Sequence, residues 1–545
     1  MQNTQKLLSI KNLKKYFPIA KSSIFQKEQL YVRANEEITI DSNSGETFGL
    51  VGESGCGKST LGRTILQLYP QTAGSTLYYG RTLEDFAPSY VAKTLKNASK
   101  MIAQYKKMQA KAEKLSQEVE AAGENATFFQ HQNKNLAQAE ADTAFQNVVK
   151  ILGGFAALDD CSEGAKALLE KYNINVKLSK LNEQVRDFEG NEAFYKAVAD
   201  EIRADNTIKN PEAKIRKAEK SAVAAAAKAE ALQPSIAKLK EALAAQNEKI
   251  NQLKAKHASN AKFMEYEAML DDGVDLSRLK YAEMRVLRKD IQIIFQDPYS
   301  SLNPRMTVGQ IIGEGLTTHK FFKPGSPKMK DYILSVMDNC GLQDYMLHRY
   351  PHQFSGGQRQ RICIARALAV KPKFIVCDEC VSALDVSIQS QIINLLEELK
   401  EKENLTYLFI SHDLSVVRYI SDRIGVMYLG NMVELGTAEE IFSDPRHPYT
   451  VALLSSIPTT DVNALKKERI ILEGNIPSPI KPPDGCKFHT RCYMACDKCK
   501  RVPPELREVE PGHFVACHFD QKKLDENGNY LFELPKMERK SLRGE

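Results

Sequence analysis

The sequence predicts an α/β fold that is interrupted by a long helical insertion and followed by a small cysteine-rich region. A strand-like run, 47–51, leads directly into a glycine-rich segment and then a helix-like one. A second apolar run, 374–377, ends in the acidic pair Asp378-Glu379, as at the end of a buried strand. Between these runs, the composition of residues 82–275 shifts to Ala, Lys, Glu and Gln with helical periodicity. We therefore expect one α/β domain whose two segments flank an insertion.

The glycine-rich segment, 52–59, fits the phosphate-binding loop at every fixed position. Its glycines let backbone N–H groups close around phosphates, and Lys58 can reach the β and γ oxygens. The Ser59 hydroxyl suits Mg²⁺ at the start of the following helix. The sequence thus predicts a nucleoside triphosphate site; the alternative is an ordinary glycine-rich turn between a strand and a helix.

The motifs that follow decide the class. Phe354 to Gln358 precedes a helix-like segment, and the pair Asp378-Glu379 is placed where a Mg²⁺ anchor and a general base can sit. With Gln296, 382–385 and His412, these motifs resemble the ABC ATPase family in their order and intervals. Phe354 to Gln358 is similar to the signature motif of that family. Any one of these motifs alone has a non-functional interpretation, such as a solvated acid or a loop histidine. Together they favour an ABC-type P-loop ATPase with an antiparallel β subdomain and a helical signature subdomain.

The resemblance to the ABC family implies a role for each position. Glu379 would polarise the attacking water, His412 would contact the γ-phosphate, and Gln296 would sense the γ-phosphate and the metal. Mg²⁺ would be held by Ser59, Gln296 and Asp378. The implied nucleotide-binding residues are Phe17, Gly52, Glu53, Ser54, Gly55, Cys56, Gly57, Lys58, Ser59, Thr60, Gln296 and Asp378, and, for the nucleotide of an opposite ATPase, Ser355, Gly356, Gly357, Gln358 and Asp385.

Two features of this assignment stay open. Phe17 matches the aromatic that stacks on adenine in the family, but the neighbouring Tyr16 leaves the register unsettled, and core packing is the alternative. Cys380 stands where the family usually has proline after the catalytic glutamate. One phosphate-binding loop and one signature occur in 545 residues, so the resemblance also implies that the chain pairs with a second ATPase domain.

The C-terminal part narrows the resemblance. The segments 445–450, 476–479 and 485–492, with the core segment 292–308, look like the F-type ATP-binding subunits of oligopeptide permeases. This implies ATP-driven uptake of oligopeptides, a paralogous D-type ATPase subunit, two transmembrane permease subunits and an extracellular peptide-binding lipoprotein. The chain would lie at the cytoplasmic face of the cell membrane. Dipeptide and nickel importer ATPases share the same motifs and are the alternative.

Five cysteines lie in one short proline-rich region. Their density suggests a metal site, either a 4Fe–4S cluster or zinc, although zinc-ribbon spacing is absent and a metal-free loop is the alternative. By the family resemblance, the quartet maps onto Cys486, Cys492, Cys499 and Cys517, which leaves Cys496 as an extra. The other six cysteines are scattered, as reduced thiols usually are.

The insertion is expected to be an antiparallel coiled-coil hairpin. Met108, Ala112, Leu115 and Val119 repeat at alternating four and three residues, and a second such series runs from Ile236 to Leu253. The two series would form the arms, and Pro234 would kink the returning arm. A small helical tip domain would be built from Thr127-Phe128-Phe129, Val148-Val149, Ile151-Leu152 and Phe194-Tyr195. The expected domains are 1–81 and 276–455 (ATPase), 82–275 (insertion) and 456–545 (C-terminal).

Chromosome and repair proteins of the SMC, Rad50 and UvrA kinds also carry insertions in ABC ATPases, so a DNA-acting ATPase is the rival class. The short arms, the lack of a C-x-x-C hook at the tip of the insertion and the segment 299–304 favour the importer. A net charge of +6 and a pI of about 8.5 do not demand nucleic acid, and none is expected as a partner. No apolar run is long enough to span a bilayer, and the first residues lack the apolar core of a signal peptide, so a cytosolic chain is expected.

Overall fold

The computed structural model describes residues 5–21, 29–123, 126–204, 210–457 and 470–519. They fall into two compact units, one drawn from 1–80 and 281–545 and the other from 81–280. None of the described helices is both long and apolar enough to cross a membrane.

The elements are as follows in chain order. The first segment contains β1 (Lys6–Pro18), β2 (Tyr31–Asn43), β3 (Thr47–Val51), α1 (Lys58–Ile65) and β4 (Ala73–Thr82). The second unit contains α2 (Leu83–Phe86), α3 (Ser89–Lys96), α4 (Ala98–Ala122), α5 (Phe128–Leu152), α6 (Ser162–Ala204), α7 (Pro211–Ala255), α8 (Ala261–Glu267) and β5 (Gly273–Asp275). The last segment contains α9 (Tyr281–Leu287), β6 (Ile291–Ile294), α10 (Pro298–Ser301), α11 (Val308–Thr318), α12 (Pro327–Asn339), α13 (Gly356–Leu368), β7 (Phe374–Asp378), α14 (Val386–Glu403), β8 (Thr406–Ile410), α15 (Leu414–Ile420), β9 (Arg423–Tyr428), β10 (Asn431–Thr437), α16 (Ala438–Ser443), α17 (Pro448–Ser455), α18 (Asp497–Arg501), β11 (Arg507–Glu510) and β12 (His513–Val515).

A mixed sheet forms the centre of the first unit. Among the described residues its order is β11-β12-β10-β9-β3-β8-β7-β6. Strands β9, β3, β8, β7 and β6 run parallel to one another, whereas β10 runs antiparallel to β9, and β3, β7 and β8 are buried along their whole length. Burial on both faces explains their apolar runs without alternation. The carboxyl ends of these parallel strands meet at one edge of the sheet.

An antiparallel sheet of order β2-β1-β4 accompanies the mixed sheet in this unit. Helices α11, α12 and α13 pack on one another through a core that includes Ile312, Met337 and Ile362, all fully buried. The predicted α/β fold with an antiparallel β subdomain and a helical signature subdomain is confirmed.

The C-terminal segment extends the mixed sheet, because β12 pairs with β10 in the register Glu434↔Val515. The buried carboxylate of Glu434 accepts the backbone N–H groups of Arg446 (2.7 Å) and His447 (3.0 Å) and lies 2.9 Å from His513 Nε2. This carboxylate therefore joins three separate pieces of the C-terminal half.

The insertion forms two helical hairpins, and the prediction of a single hairpin is wrong. Helix α4 packs on α5, and α6 packs on α7. Gly123, with φ 51°, ends α4, and the side chain of Thr127 caps α5 in a capping box with Gln130, so the chain turns back earlier than predicted. In the second hairpin, Gln246 Nε2 donates to the carbonyl of Ala167 (2.8 Å).

The predicted tip domain is also wrong. Val148 and Leu152, near the C-terminal end of α5, share a buried cluster with Ile250 and Leu253 of α7. Phe128 and Phe129 lie at the opposite end of the 25-residue α5, and Phe194 and Tyr195 lie within α6. Of the predicted arms, Met108, Ala112 and Leu115 pack on Ala137 and Ala141, while Ile236 packs with Val185 and Ala229. Helix α7 continues through Pro234.

Candidate nucleotide site

The phosphate-binding loop follows β3 and ends in α1. Gly52 and Gly57 have φ values of 148° and 105°, which side chains rarely adopt. A Cβ on Gly52 would come 2.2 Å from the carbonyl oxygen of Met427, and one on Gly57 would come 2.2 Å from that of Ala34. The backbone on either side of the loop thus leaves room only for glycine at these positions.

Lys58 is held by the loop that it closes. Its side chain is nearly buried, with the residue 4% exposed, and its Nζ donates to the carbonyl oxygens of Gly52 (2.7 Å) and Glu53 (3.2 Å). These bonds place the ammonium inside the curve of the loop, as the predicted contact with phosphate oxygens requires.

The acidic pair stands at the end of β7. Asp378 is 1% exposed, and its Oδ2 accepts from Arg63 Nη2 (3.1 Å) and Nε (3.3 Å). Its Oδ1 is buried without a hydrogen-bond partner in the described part of the chain. A buried, unpaired carboxylate oxygen suits a hard cation such as Mg²⁺, because leaving it unpaired is otherwise costly.

The three predicted catalytic side chains meet beside this pair. Glu379 Oε2 accepts from Gln296 Nε2 (2.9 Å) and lies 3.5 Å from His412 Nδ1. Glu379 has a positive φ of 51°, and its N–H donates to the carbonyl of Ile410 (3.0 Å). Because β6, β7 and β8 are adjacent parallel strands, the residues after their carboxyl ends converge.

A cavity of about 410 Å³ opens between the loop and the side chains of Gln296 and Glu379. Of the predicted residues, it is lined by Phe17, Ser54, Gly55, Gly57, Lys58, Ser59, Thr60, Gln296 and Glu379. Sequence reasoning missed the rest of the lining, which is Val32, Arg33, Ala34, Leu429, Gly430 and Pro479. No local motif marks those six, since they come from β2, from the turn after β9 and from the C-terminal segment.

Tyr16 and Phe17 have different surroundings in the structure, which settles which of them faces the cavity. Tyr16 is 4% exposed, and its hydroxyl donates to the Glu36 carboxylate (2.5 and 2.6 Å). Burial raises the pKa of the Tyr16 phenol. Phe17 is half-buried, lines the cavity and meets Tyr69 edge-on with ring centroids 5.4 Å apart. Of the two, Phe17 is the ring that a base in the cavity would meet.

The signature residues and Asp385 lie outside the cavity of their own chain. Ser355 caps α13, with its Oγ accepting from the Gln358 N–H (3.4 Å) while Gln358 Oε1 accepts from the Ser355 N–H (3.2 Å). Asp385 stands at the start of α14. Neither these residues nor Gly356 and Gly357 line the cavity of their own chain.

All eleven cysteines lie in the described residues and are free thiols. Burial raises the pKa of Cys492 to about 12, with Cys486, Cys499 and Cys496 near enough to add to the rise. Cys496 and Cys499 have their sulfurs 3.8 Å apart. Within the described ranges, however, no group of three or more His, Cys, Asp or Glu side chains is arranged to hold a metal ion.

A phosphate-binding loop, a buried aspartate and a Glu–Gln–His group around one cavity define an ABC-type P-loop ATPase. The profile of the ABC transporter family matches 36–187 and 265–382, and that of the oligopeptide/dipeptide transporter C-terminal region matches 433–499. The oligopeptide transport ATP-binding protein AppF of Bacillus subtilis is 55% identical over 252 residues, which cover 46% of this chain and 76% of that protein. OppF of Salmonella typhimurium is 52% identical over 246 residues, 45% of this chain and 73% of that protein. The chain belongs to the family of oligopeptide transport ATP-binding proteins.

Proposed function

We propose that this chain is the ATP-binding and ATP-hydrolysing subunit of an ABC importer that takes up oligopeptides across the cell membrane. The observation that carries the proposal is the meeting of Glu379, Gln296 and His412 beside the cavity of the phosphate-binding loop. The named function of its relatives supplies the substrate class. Affinity purification with identification of co-purifying chains tests it: permease subunits support import, whereas chromosome-associated chains would favour the rival class.

The chain's own residues divide the chemistry among them. Asp378, Ser59 and Gln296 would hold Mg²⁺, which would neutralise charge on the phosphates. Glu379 accepts a proton from the attacking water, and His412 contacts the γ-phosphate. The Gln296 amide donates to Glu379 Oε2 and so orients the carboxylate, which can still accept from the attacking water through its other oxygen.

The remaining residues of the site bind nucleotide. Gly52, Glu53, Ser54, Gly55, Cys56, Gly57, Lys58 and Thr60 surround the phosphates. Ser355, Gly356, Gly357, Gln358 and Asp385 act on the nucleotide of an opposite ATPase, for which we propose a paralogous D-type subunit. Two transmembrane permease subunits and an extracellular peptide-binding lipoprotein complete the importer, and this chain lies peripherally at the cytoplasmic face.

Phe17 stacks on the adenine in this proposal. Phe17→Ala is expected to weaken ATP binding about tenfold, the loss of one aromatic–base contact. Tyr16→Phe is the matched control: it removes a hydroxyl bonded to Glu36 and should cost about 1–2 kcal/mol of stability with unchanged ATP affinity. Titration with a fluorescent ATP analogue measures both. Equal loss of affinity in the two variants would contradict the assignment.

We further propose that Cys486, Cys492, Cys499 and Cys517 bind a 4Fe–4S cluster, with zinc as the alternative. The gathering of several thiols around Cys492 supports it, although in this structure the quartet is not arranged as a metal site. A metal bound by the quartet would add its binding free energy to the folding of the C-terminal segment.

Anaerobic purification with metal analysis and a visible spectrum tests this proposal. Brown absorbance indicates iron–sulfur, and a colourless zinc-containing protein indicates zinc. Serine at any of the four positions should abolish metal binding and destabilise the C-terminal segment, whereas Cys496→Ser should matter less. A metal-free preparation with a folded C-terminal segment would refute the proposal.

A further inference from the structure

An arginine of the C-terminal segment reaches the phosphate-binding loop. Arg491 Nη1 lies 2.7 Å from Glu53 Oε2, and Arg491 Nη2 lies 3.0 Å from Glu53 Oε1. The side chains are 6% and 25% exposed, so this is a bidentate ion pair largely shielded from water. Such pairs fix orientation as well as supplying energy. The two residues are 438 positions apart in the chain.

The same loop residue is held a second time. The backbone N–H of Glu53 donates to the hydroxyl of Tyr449 (2.9 Å), which is fully buried. The Tyr449 ring packs on Tyr428 and Phe488 at centroid distances of 4.8 and 5.3 Å. Phe488 belongs to the same short segment as Arg491, so that segment holds the Glu53 side chain directly and supports the backbone contact through Tyr449.

Anchoring Glu53 affects the phosphate site in two ways. Its carbonyl oxygen is one of the two that hold Lys58 Nζ, so the position of Glu53 helps set that of the ammonium. Its carboxylate also lies in the loop that would receive phosphates, and an unpaired negative charge there would repel them. Arg491 counters this charge through two hydrogen bonds.

We propose that Arg491 is a positioning residue for the phosphate-binding loop, acting through Glu53. The C-terminal segment then forms part of the nucleotide site, to which it also contributes Pro479, whose carbonyl accepts the N–H of Arg33 (3.1 Å). The proposal rests on the proposed function insofar as the loop binds ATP.

A double-mutant cycle tests the proposal on the full chain with a fluorescent ATP analogue. Arg491→Gln is expected to raise the Kd about tenfold, the usual cost of losing a charge-assisted hydrogen bond. Glu53→Gln removes the charge that needs neutralising, so the double variant should bind no more weakly than the weaker single variant. The proposal would be overturned if the increases in Kd of the two single variants multiplied in the double variant. It would also be overturned if the Kd of Arg491→Gln stayed within twofold of that of the parent.

Arg446→Gln is the matched control. Like Arg491, Arg446 has a side chain that is nearly buried, 7% exposed, and it pairs with Asp444 (2.8 Å) and Glu510 away from the cavity. Its loss should lower the melting temperature and leave the Kd within twofold. If it weakened ATP binding as much as Arg491→Gln, the effect would be general destabilisation and the proposal would fail.

A second readout needs no nucleotide. Hydrogen–deuterium exchange of the loop amides, 52–58, should be faster in Arg491→Gln than in the parent or in Arg446→Gln. Failure of the parent chain to bind ATP would count against the proposed function alone, because the exchange measurement still reports on the loop. Unchanged exchange in Arg491→Gln would overturn the positioning role.

Discussion

Replacing Glu379 by glutamine is expected to lower ATP hydrolysis by a factor on the order of a hundred while ATP binding is kept, as follows from losing a positioned general base. The substitution preserves the size of the side chain and its contact with Gln296, so the cavity should keep its shape. Hydrolysis is measured as phosphate release in the assembled complex, and binding by titration of the chain with a fluorescent ATP analogue.

Two controls separate the roles in this site. Glu401→Gln makes the same exchange on the exposed face of α14 and should leave hydrolysis unchanged. Lys58→Ala should instead weaken ATP binding, because it removes the ammonium at the loop. Parent-like hydrolysis by Glu379→Gln in the complex would show that another group is the base.

Ser355→Arg is expected to disable the ATP site of the partner ATPase on the order of a hundredfold and to spare the chain's own site. The reason is that Ser355, Gly357 and Asp385 do not line their own cavity and must act across a dimer to act on nucleotide at all. Hydrolysis is measured in mixed complexes in which only one of the two sites carries an intact catalytic glutamate.

The substitution at Ser355 also removes a helix cap, which costs about 1 kcal/mol. Ser326→Arg is the matched control, because Ser326 caps α12 in the same way, with its Oγ accepting from the Met329 N–H (3.4 Å). It should lower stability equally and leave both sites active. Full hydrolysis by a verified monomer of the parent chain would contradict the requirement for a partner.

The insertion shows where pattern reasoning goes wrong. Alternating spacing at Met108–Val119 and Ile236–Leu253 correctly indicated helices with apolar stripes, but periodicity does not say which stripe packs on which. Alanine-rich helices such as α5 and α7 offer many similar faces. The signal that fixes the pairing is local: Gly123 and the Thr127–Gln130 capping box end one helix and start the next.

The C-terminal segment shows a second limit. The cysteine density predicts a metal site within Cys486–Cys517. The contact that joins this segment to the nucleotide site is instead the Arg491–Glu53 ion pair. A charged pair between distant residues leaves no periodic trace in a sequence. Glu53 was predicted as a loop residue, but its partner was not.

The sequence by itself determined the residues of the phosphate-binding loop, the acidic pair at Asp378, and the glutamine and histidine that accompany them. Each of these depends on a few consecutive residues whose backbone geometry is local, such as the positive φ that glycine permits. Only the tertiary structure decided that Gln296 and His412 both approach Glu379, that Phe17 rather than Tyr16 faces the cavity, and that Arg491 holds the loop. Those contacts join residues from separate strands and segments, and they form only when the strands align and their carboxyl ends meet at one edge of the sheet.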